Sequence, residues 1–153
     1  MRHAKHKNQL GRKKEHRVAT MANLAAALFT HSRIRTTLAK AKALRPFAEK
    51  VITLARKASV SELPAQKLHY RRLAISLIRD KDAVKSLFNN KVSEFANRPG
   101  GYTRIYKLGN RVSTDAAEMA LIELIPASDK GYSKKKKRKT SADTKSEMTT
   151  AAA

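Results

Sequence analysis

Apolar residues recur every three or four positions in four segments of the chain, at residues 18–29, 41–55, 70–78 and 84–95. That spacing predicts four amphipathic helices, each with an apolar stripe facing a core. Pro64 suits the first position of the third helix, and Asp82 suits the N-terminal cap of the fourth. Asp80 lies at the same helix start, and capping explains at least one of these two carboxylates. Pro46 interrupts the second stripe. Because proline inside a helix removes a backbone hydrogen bond, it predicts a kink there or a helix that begins near it.

Three further segments, at residues 32–38, 102–108 and 119–125, have the pattern of β-strands. In the first, Ile34, Thr36 and Leu38 face one way. Arg33, Arg35 and Thr37 face the other, so that face of the strand is cationic. Such a face is available to an anion. The third segment is apolar enough to be buried on both faces.

The predicted order is helix, strand, helix, helix, helix, strand, strand. It indicates an α/β (α+β) fold in two layers, with a small mixed three-stranded sheet covered by helices. This body spans residues 18–127. Residues 1–17 form a basic arm with too few apolar residues to fold alone. Residues 128–153 are rich in Lys, Ser, Thr and Ala, which predicts a disordered basic tail.

The net charge sharpens this picture. The chain has 34 Lys and Arg against 12 Asp and Glu, a formal charge of +22. Residues 1–58 hold 15 of the cations and 2 of the acids, so +13 lies on the arm and the first folded elements. An excess of this size opposes compaction and points to a polyanionic partner, either nucleic acid or an anionic membrane surface.

Several classes of chemistry are excluded by what the sequence lacks. The absence of cysteine rules out disulfides, thiol nucleophiles and cysteine-containing zinc sites. No phosphate-binding glycine motif and no GxSxG elbow occurs, so neither an enzyme nor a cofactor is predicted. His3 and His6 have no carboxylates nearby, so no metal site is predicted. No apolar stretch is long enough to span a bilayer, and we expect a soluble, cytoplasmic chain without a membrane or small-molecule partner.

Three groups of residues are candidates for contact with a nucleic acid. The arm can follow an irregular phosphate backbone. The second group lies on folded elements in a stretch without acids, since none occurs between Arg17 and Glu49. The third is a glycine-containing loop, which either clamps a phosphate or base or is a tight turn with its tyrosine in the core. The groups are Arg2, Lys5, Lys7, Arg12, Lys13, Lys14 and Arg17; Arg33, Arg35, Lys40, Lys42 and Arg45; and Arg98, Gly100, Gly101, Tyr102 and Arg104.

Short blocks along the chain resemble the bacterial large-subunit ribosomal protein seventeen family. They include MRH at the N-terminus, LGR, HRVA, IRTT from Ile34, KAK from Lys40, ITLA from Ile52, GGYTRI from Gly100 and MALIEL from Met119. The blocks follow the family's order over residues 1–126. The resemblance implies an α-β-α-α-α-β-β body that binds large-subunit ribosomal RNA near the outer end of the peptide exit tunnel. It also implies neighbouring large-subunit proteins, a place on the cytoplasmic ribosome and a structural role without catalytic residues.

The resemblance also implies which residues contact RNA. The family's contacts would fall on Arg2, His3, Arg12, His16, Arg17, Thr36, Thr37, Lys40, Lys42, Arg98, Gly101, Tyr102 and Arg104, and Asn23 lies in a further matching block. The chain departs from the family at Ser113-Thr114, where the usual glycine before Asp115 is missing, and in its basic tail. An architectural DNA-binding protein explains the charge equally well and is the alternative, although no zinc-finger, basic-zipper or clear helix-turn-helix pattern is present.

Overall fold

The computed structural model describes residues 8–112 and 115–129. The elements are α1 (Lys14–His31), β1 (Arg33–Thr37), α2 (Leu38–Val60), α3 (Pro64–Ile78), α4 (Lys81–Ser86), β2 (Thr103–Asn110) and β3 (Glu118–Leu124). A π-helical turn (Leu87–Lys91) and a 3-10 turn (Val92–Phe95) continue α4. The fold class and the order of elements are therefore confirmed.

The three strands form one sheet in the order β1-β3-β2. Both strand pairs are antiparallel, so the prediction of a mixed sheet is wrong. The two outer strands run in the same direction, but the central strand β3 separates them. Strand patterning predicts which segments pair into a sheet, whereas the identity of the middle strand depends on contacts between distant segments.

The core lies between the helices and one face of the sheet. Ile34, Ile122 and Ile105 are in register across the three strands and pack into this core. α2 runs along the core, and its predicted apolar stripe is buried throughout. Burial of each Val, Leu or Ile side chain contributes about 1.5–3 kcal/mol, so α2 is the main stabilising helix. α3 is more peripheral, with only Ala74 and Ile78 buried among its residues.

α2 passes through Pro46 and continues to Val60. The prediction that this helix begins near Pro46 is therefore wrong. Pro46 has no N–H, so the carbonyl of Lys42, four residues earlier, lacks its usual helical donor. The proline itself is exposed, and the buried stripe continues on both sides of it. Tertiary packing outweighs the local penalty.

The N-terminal cap of α4 is Asp80. One carboxylate oxygen of Asp80 accepts hydrogen bonds from the backbone N–H groups of Asp82 (2.9 Å) and Ala83 (3.1 Å). The prediction that Asp82 is the cap is wrong, since the helix begins at Lys81 and Asp82 lies in its first turn. A carboxylate at that position still interacts favourably with the helix dipole.

β3 is fully buried on its helix-facing side and only partly buried on the other, where Met119 is 8% exposed. The predicted burial of both faces is therefore found at Met119 but not along the whole strand. Ala120 and Ile122 face the helices and are fully buried. On the opposite face, Leu121 and Glu123 are half-buried. We call this second face of the sheet the open face, because no helix among the described residues packs on it.

α1 begins at Lys14, so the last four residues of the segment assigned to the arm are helical. Leu10 and Gly11 both have positive φ angles and turn the chain towards α1. The predictions for residues 1–7, for the departure at Ser113-Thr114 and for most of the tail lie outside the described residues.

Candidate nucleic-acid interface

Arg12 is fixed against the first turns of α1. Its Nη1 donates to Oγ1 of Thr20 over 2.5 Å and lies 3.1 Å from Nε2 of His16. Thr20 in turn donates to the backbone carbonyl of His16. Arg12 is thus part of the folded surface, beside Arg17 and the exposed side chains of Lys13 and Lys14, although the sequence assigned all four to the arm.

Lys42 and Arg45 are exposed on α2, while Lys40 is half-buried. Glu49 lies one helical turn after Arg45 and would be its natural partner. Instead, Glu49 accepts a hydrogen bond from Oγ1 of Thr103 over 3.1 Å, which ties α2 to β2. The guanidinium of Arg45 therefore has no carboxylate partner among the described residues.

Like Arg45, the other cations in the first half of the body form no ion pair with a described carboxylate. Within the two described ranges the ion pairs are Arg104–Asp129 (2.7 Å) and Arg111–Asp115 (3.7 Å). No cation of α1, β1 or α2 takes part in either pair. The sequence placed the positive charge here, and the structure leaves it without carboxylates at contact distance.

The open face carries the side chains that alternate with the core residues of the strands. In the sheet register Arg33 and Arg104 lie on either side of Glu123. In the next row Arg35 and Tyr106 lie on either side of Leu121. The cationic face predicted for β1 is confirmed, because Arg33 and Arg35 are both exposed.

Arg104 is held by two partners at the edge of this face. Its Nη1 donates to the hydroxyl of Tyr106 over 3.2 Å, and its Nη2 pairs with the carboxylate of Asp129. The hydrogen bond to Tyr106, followed by that to Asp129, raises the pKa of Arg104 above its ordinary value. Arg104 therefore stays charged throughout the physiological range.

The predicted contact between Tyr102 and RNA is wrong for its ring. Tyr102 is 1% exposed and meets Phe95 edge to face, with 5.4 Å between the ring centroids. The other interpretation of this loop, a tight turn with Tyr102 in the core, describes what is observed. Gly101 has a φ of +66°, a backbone conformation that favours glycine because it has no Cβ. Gly100 and Gly101 are both exposed.

Arg98 is engaged within the protein. Its guanidinium donates to the backbone carbonyl of Asp129, and its own carbonyl accepts a hydrogen bond from Arg56 over 2.7 Å. The side chain of Arg98 therefore ties the segment after β3 to the beginning of the glycine loop. Arg98 and Arg104, which were both predicted to contact RNA, converge on Asp129.

The remaining candidates are divided between the two layers. Thr36 faces the helices and is 8% exposed, so little of it is available to a ligand. Thr37, on the opposite face of β1, is half-buried, and its side chain does not cap α2. Asn23 and His16 are exposed on α1. Arg2, His3, Lys5 and Lys7 lie outside the described residues.

Tyr106 is a further candidate residue that was not predicted from the sequence. Its side chain is 42% exposed on the open face. The signal was its spacing, because Tyr106 follows Arg104 by two positions in a strand and must share its face. An exposed aromatic ring beside arginines is a known arrangement for stacking on bases.

The grooves of the described residues differ in their lining. One of about 420 Å³ between α2 and α3 is lined by Ala58, Leu68, Arg71 and Phe88 among others, and no carboxylate or histidine lines it. Nor do three or more potential metal ligands cluster among residues 8–112 and 115–129. Every helix among the same residues is too short or too polar to cross a membrane.

Fold and charge together define a small, strongly basic α/β protein, a class typical of the structural proteins of ribonucleoprotein particles. Comparison with known families identifies the particular one. The model of the family described as Ribosomal protein L17 matches residues 20–125, and the chain belongs to this family. Its members are structural proteins of the large ribosomal subunit and not enzymes, so the predicted family and the predicted absence of enzymatic activity are both confirmed.

Relatives with the name Large ribosomal subunit protein bL17 match most of the chain. The one from Opitutus terrae is 60% identical over 139 residues, covering 91% of this chain and 81% of the relative. The one from Methylacidiphilum infernorum is 54% identical and covers 80% of this chain and 87% of the relative. The one from Bacteroides fragilis is 42% identical over 153 residues, 100% of this chain and 89% of the relative. The chain is thus a structural component of the bacterial large ribosomal subunit, with its place on the ribosome.

Proposed function

We propose that this chain binds and scaffolds large-subunit ribosomal RNA through the cations of α1, β1 and α2. The observation that carries the proposal is a group of six exposed cations on these elements and at the N-cap of α1, none of which has a carboxylate partner among the described residues. We call this group the cation array: Lys13, Lys14, Arg33, Arg35, Lys42 and Arg45. Phosphates would neutralise these charges and release the counterions condensed on the RNA. Without a polyanion, their mutual repulsion opposes the compact state.

The fold holds these cations at fixed separations. β1 ends at Thr37 and α2 begins at the next residue, so no loop intervenes between the arginines of the strand and the lysines of the helix. α1 precedes β1 by a single residue, Ser32. A rigid array of charges suits recognition of RNA by its shape and backbone, which does not require sequence readout in a groove. We assign the predicted arm residues Arg2, His3, Lys5 and Lys7 to the same RNA.

The glycine loop contributes through its backbone. Gly100 and Gly101 are exposed, and apart from the adjoining residues of the chain no atom lies within 4 Å of where a Cβ would stand on either. A phosphate or sugar can therefore approach the main chain closely. Arg98 and Arg104 shape this region through Asp129, so we assign them a positioning role beside any contact of their own.

Binding to deproteinised large-subunit ribosomal RNA, measured by filter retention of the full chain, tests the proposal. We expect this RNA to outcompete duplex DNA at equal phosphate concentration, because the cation array would be arranged for irregular RNA. Equal competition by DNA would support the architectural DNA-binding alternative. A variant lacking residues 2–7 should fold as judged by circular dichroism, since α1 begins at Lys14, and should bind RNA more weakly.

We also propose that the chain lies near the outer end of the peptide exit tunnel, beside other large-subunit proteins. The support is the resemblance of the sequence blocks to the ribosomal family. Because the chain has no cysteine, Val60→Cys provides a single attachment point at a side chain that is 76% exposed. Hydroxyl radicals generated from iron tethered there should cleave RNA segments around the tunnel exit in reconstituted subunits. Cleavage only at distant segments would contradict this placement.

A further inference from the structure

Tyr106 presents an aromatic ring on the open face of the sheet. It lies on the outer strand β2, and its neighbour across the strands is Leu121, followed by Arg35 on β1. Two strand spacings separate Tyr106 from Arg35, a distance of about 10 Å between their backbones. An aromatic ring, an aliphatic side chain and a guanidinium thus form one row across the sheet.

The ring is held in place from one side. Arg104 shares the face of Tyr106 two residues earlier and donates to its hydroxyl over 3.2 Å. Asp129 fixes the same guanidinium from beyond the strand over 2.7 Å. A ring that is anchored through its hydroxyl while 42% exposed loses little conformational entropy when a ligand covers it.

The charges on the open face favour one kind of ligand. Arg33 and Arg35 are exposed, and neither forms an ion pair with any residue in the described ranges. Glu123 lies between Arg33 and Arg104 and is the acid in the middle of this face. If an apolar protein surface docked on the open face, Arg33 and Arg35 would be buried without charged partners, which is unfavourable. A nucleotide supplies a base for the ring and a phosphate for a guanidinium.

We propose that the open face receives an unpaired nucleotide of RNA, whose base stacks on Tyr106 while Arg35 contacts its phosphate. The proposal rests on the RNA binding proposed above and names a contact within it. Stacking on an aromatic side chain tolerates any base, because every base has a π-face. Arg104 acts as a positioning residue for the ring. Because stacking on Tyr106 neutralises no phosphate, loss of the ring should leave the salt dependence of affinity unchanged, whereas loss of Arg35 should reduce it.

Two variants of Tyr106 separate the ring from its hydroxyl. Tyr106→Leu removes the aromatic face while leaving an apolar side chain, and should weaken binding to deproteinised large-subunit ribosomal RNA by about 5- to 150-fold. The dependence of affinity on salt should keep the slope of the unmodified chain. Tyr106→Phe retains the aromatic face but loses the anchoring hydrogen bond from Arg104, and should bind up to about threefold more weakly than the unmodified chain. Unchanged affinity of Tyr106→Leu would overturn the proposal.

A fluorescent variant reports on stacking directly. The chain has no tryptophan, so Tyr106→Trp introduces a single indole on the open face. Its emission should be quenched on addition of a short unpaired oligoribonucleotide, and much less by a duplex of the same sequence. The control is Val60→Trp, at the exposed end of α2, whose emission should stay unchanged.

The outcomes distinguish this contact from RNA binding as a whole. If ribosomal RNA binds but the emission of Tyr106→Trp is not quenched, the base does not stack on the open face. The proposal that the cation array binds RNA is then unaffected. If no variant and no unmodified chain binds RNA, the proposed function and this contact both fail. Equal quenching by the unpaired strand and the duplex would show that the base is not stacked, which also overturns the proposal.

Discussion

The ring of Tyr102 meets the ring of Phe95 edge to face at 5.4 Å and is sealed in the core. The Tyr102 hydroxyl is buried and has no hydrogen-bond partner among the described residues. An unsatisfied buried hydroxyl is destabilising by about 1–3 kcal/mol. The contribution of Tyr102 to stability therefore comes from the packing of its ring and not from its hydroxyl.

Tyr102→Phe should consequently raise the free energy of unfolding by about 1 kcal/mol, because it removes the unsatisfied group and keeps the ring. Tyr102→Ala should lower it by about 3–5 kcal/mol through the cavity left beside Phe95. Urea denaturation followed by circular dichroism measures both. RNA affinity of the phenylalanine variant should be unchanged. A loss of affinity without a loss of stability would restore Tyr102 as an RNA contact.

Pro46→Ala should stabilise the protein. The substitution returns an N–H to the carbonyl of Lys42, and alanine is about 3 kcal/mol more favourable than proline in a helix interior. The greater freedom of the unfolded chain offsets about 0.4–1 kcal/mol of this gain. We therefore expect the free energy of unfolding, measured by urea or thermal denaturation, to rise by about 2 kcal/mol. Lys50→Ala, at an exposed position of the same helix, serves as the control and should change stability by less than about 0.5 kcal/mol.

Asp80→Ala should destabilise the protein by about 1 kcal/mol, since it leaves two backbone N–H groups at the start of α4 without their acceptor. Asp82→Ala removes the same charge from the first turn but no cap, and should cost about 0.3–1 kcal/mol at low salt. Added salt should reduce the second effect and leave most of the first. Equal losses at high salt would contradict the assignment of Asp80 as the cap.

Gly101 and Gly100 provide a matched pair in the loop before β2. Gly101→Ala forces a Cβ onto a residue with φ of +66°, at an expected loss of about 1–2 kcal/mol. Gly100 is not among the positive-φ residues, and Gly100→Ala should change stability by less than about 0.5 kcal/mol. Thermal unfolding of the two variants compares them. Similar losses would mean that the loop requires small residues at both positions and not a left-handed backbone at one.

Much of the fold was predictable because its signals are local. The alternation around Arg33 and Arg35 specified a strand with a cationic face, and the stripe of α2 specified a buried helix. The central position of β3 was not predictable, since register and strand order come from contacts between distant segments. The choice of Asp80 over Asp82 depended on where one helix begins, a difference of two residues.

The residues of the candidate site also divide into those that local sequence predicts and those that depend on contacts between distant segments. The unpaired cations of α1, β1 and α2 were found from the sequence because acids are absent from that stretch. Asp129 engages Arg98 and Arg104, which lie 31 and 25 positions earlier in the chain, and no local pattern predicts such contacts. From the sequence, Tyr102 could face a ligand from the loop or lie in the core, and only the packing against Phe95 distinguishes the two.

The central claim, that unpaired cations of a rigid body hold RNA phosphates, is tested most directly by the salt dependence of RNA affinity. Neutralisation of six to ten phosphates predicts a linear plot of log affinity against log salt, with a loss of about 10³–10⁵ between 50 and 200 mM. Replacing Lys42 and Arg45 by Gln should reduce the slope by about 2, whereas the same change in net charge at Lys81 and Lys85 of α4 should not. A flat salt response, or equal effects of the two double variants, would contradict the account.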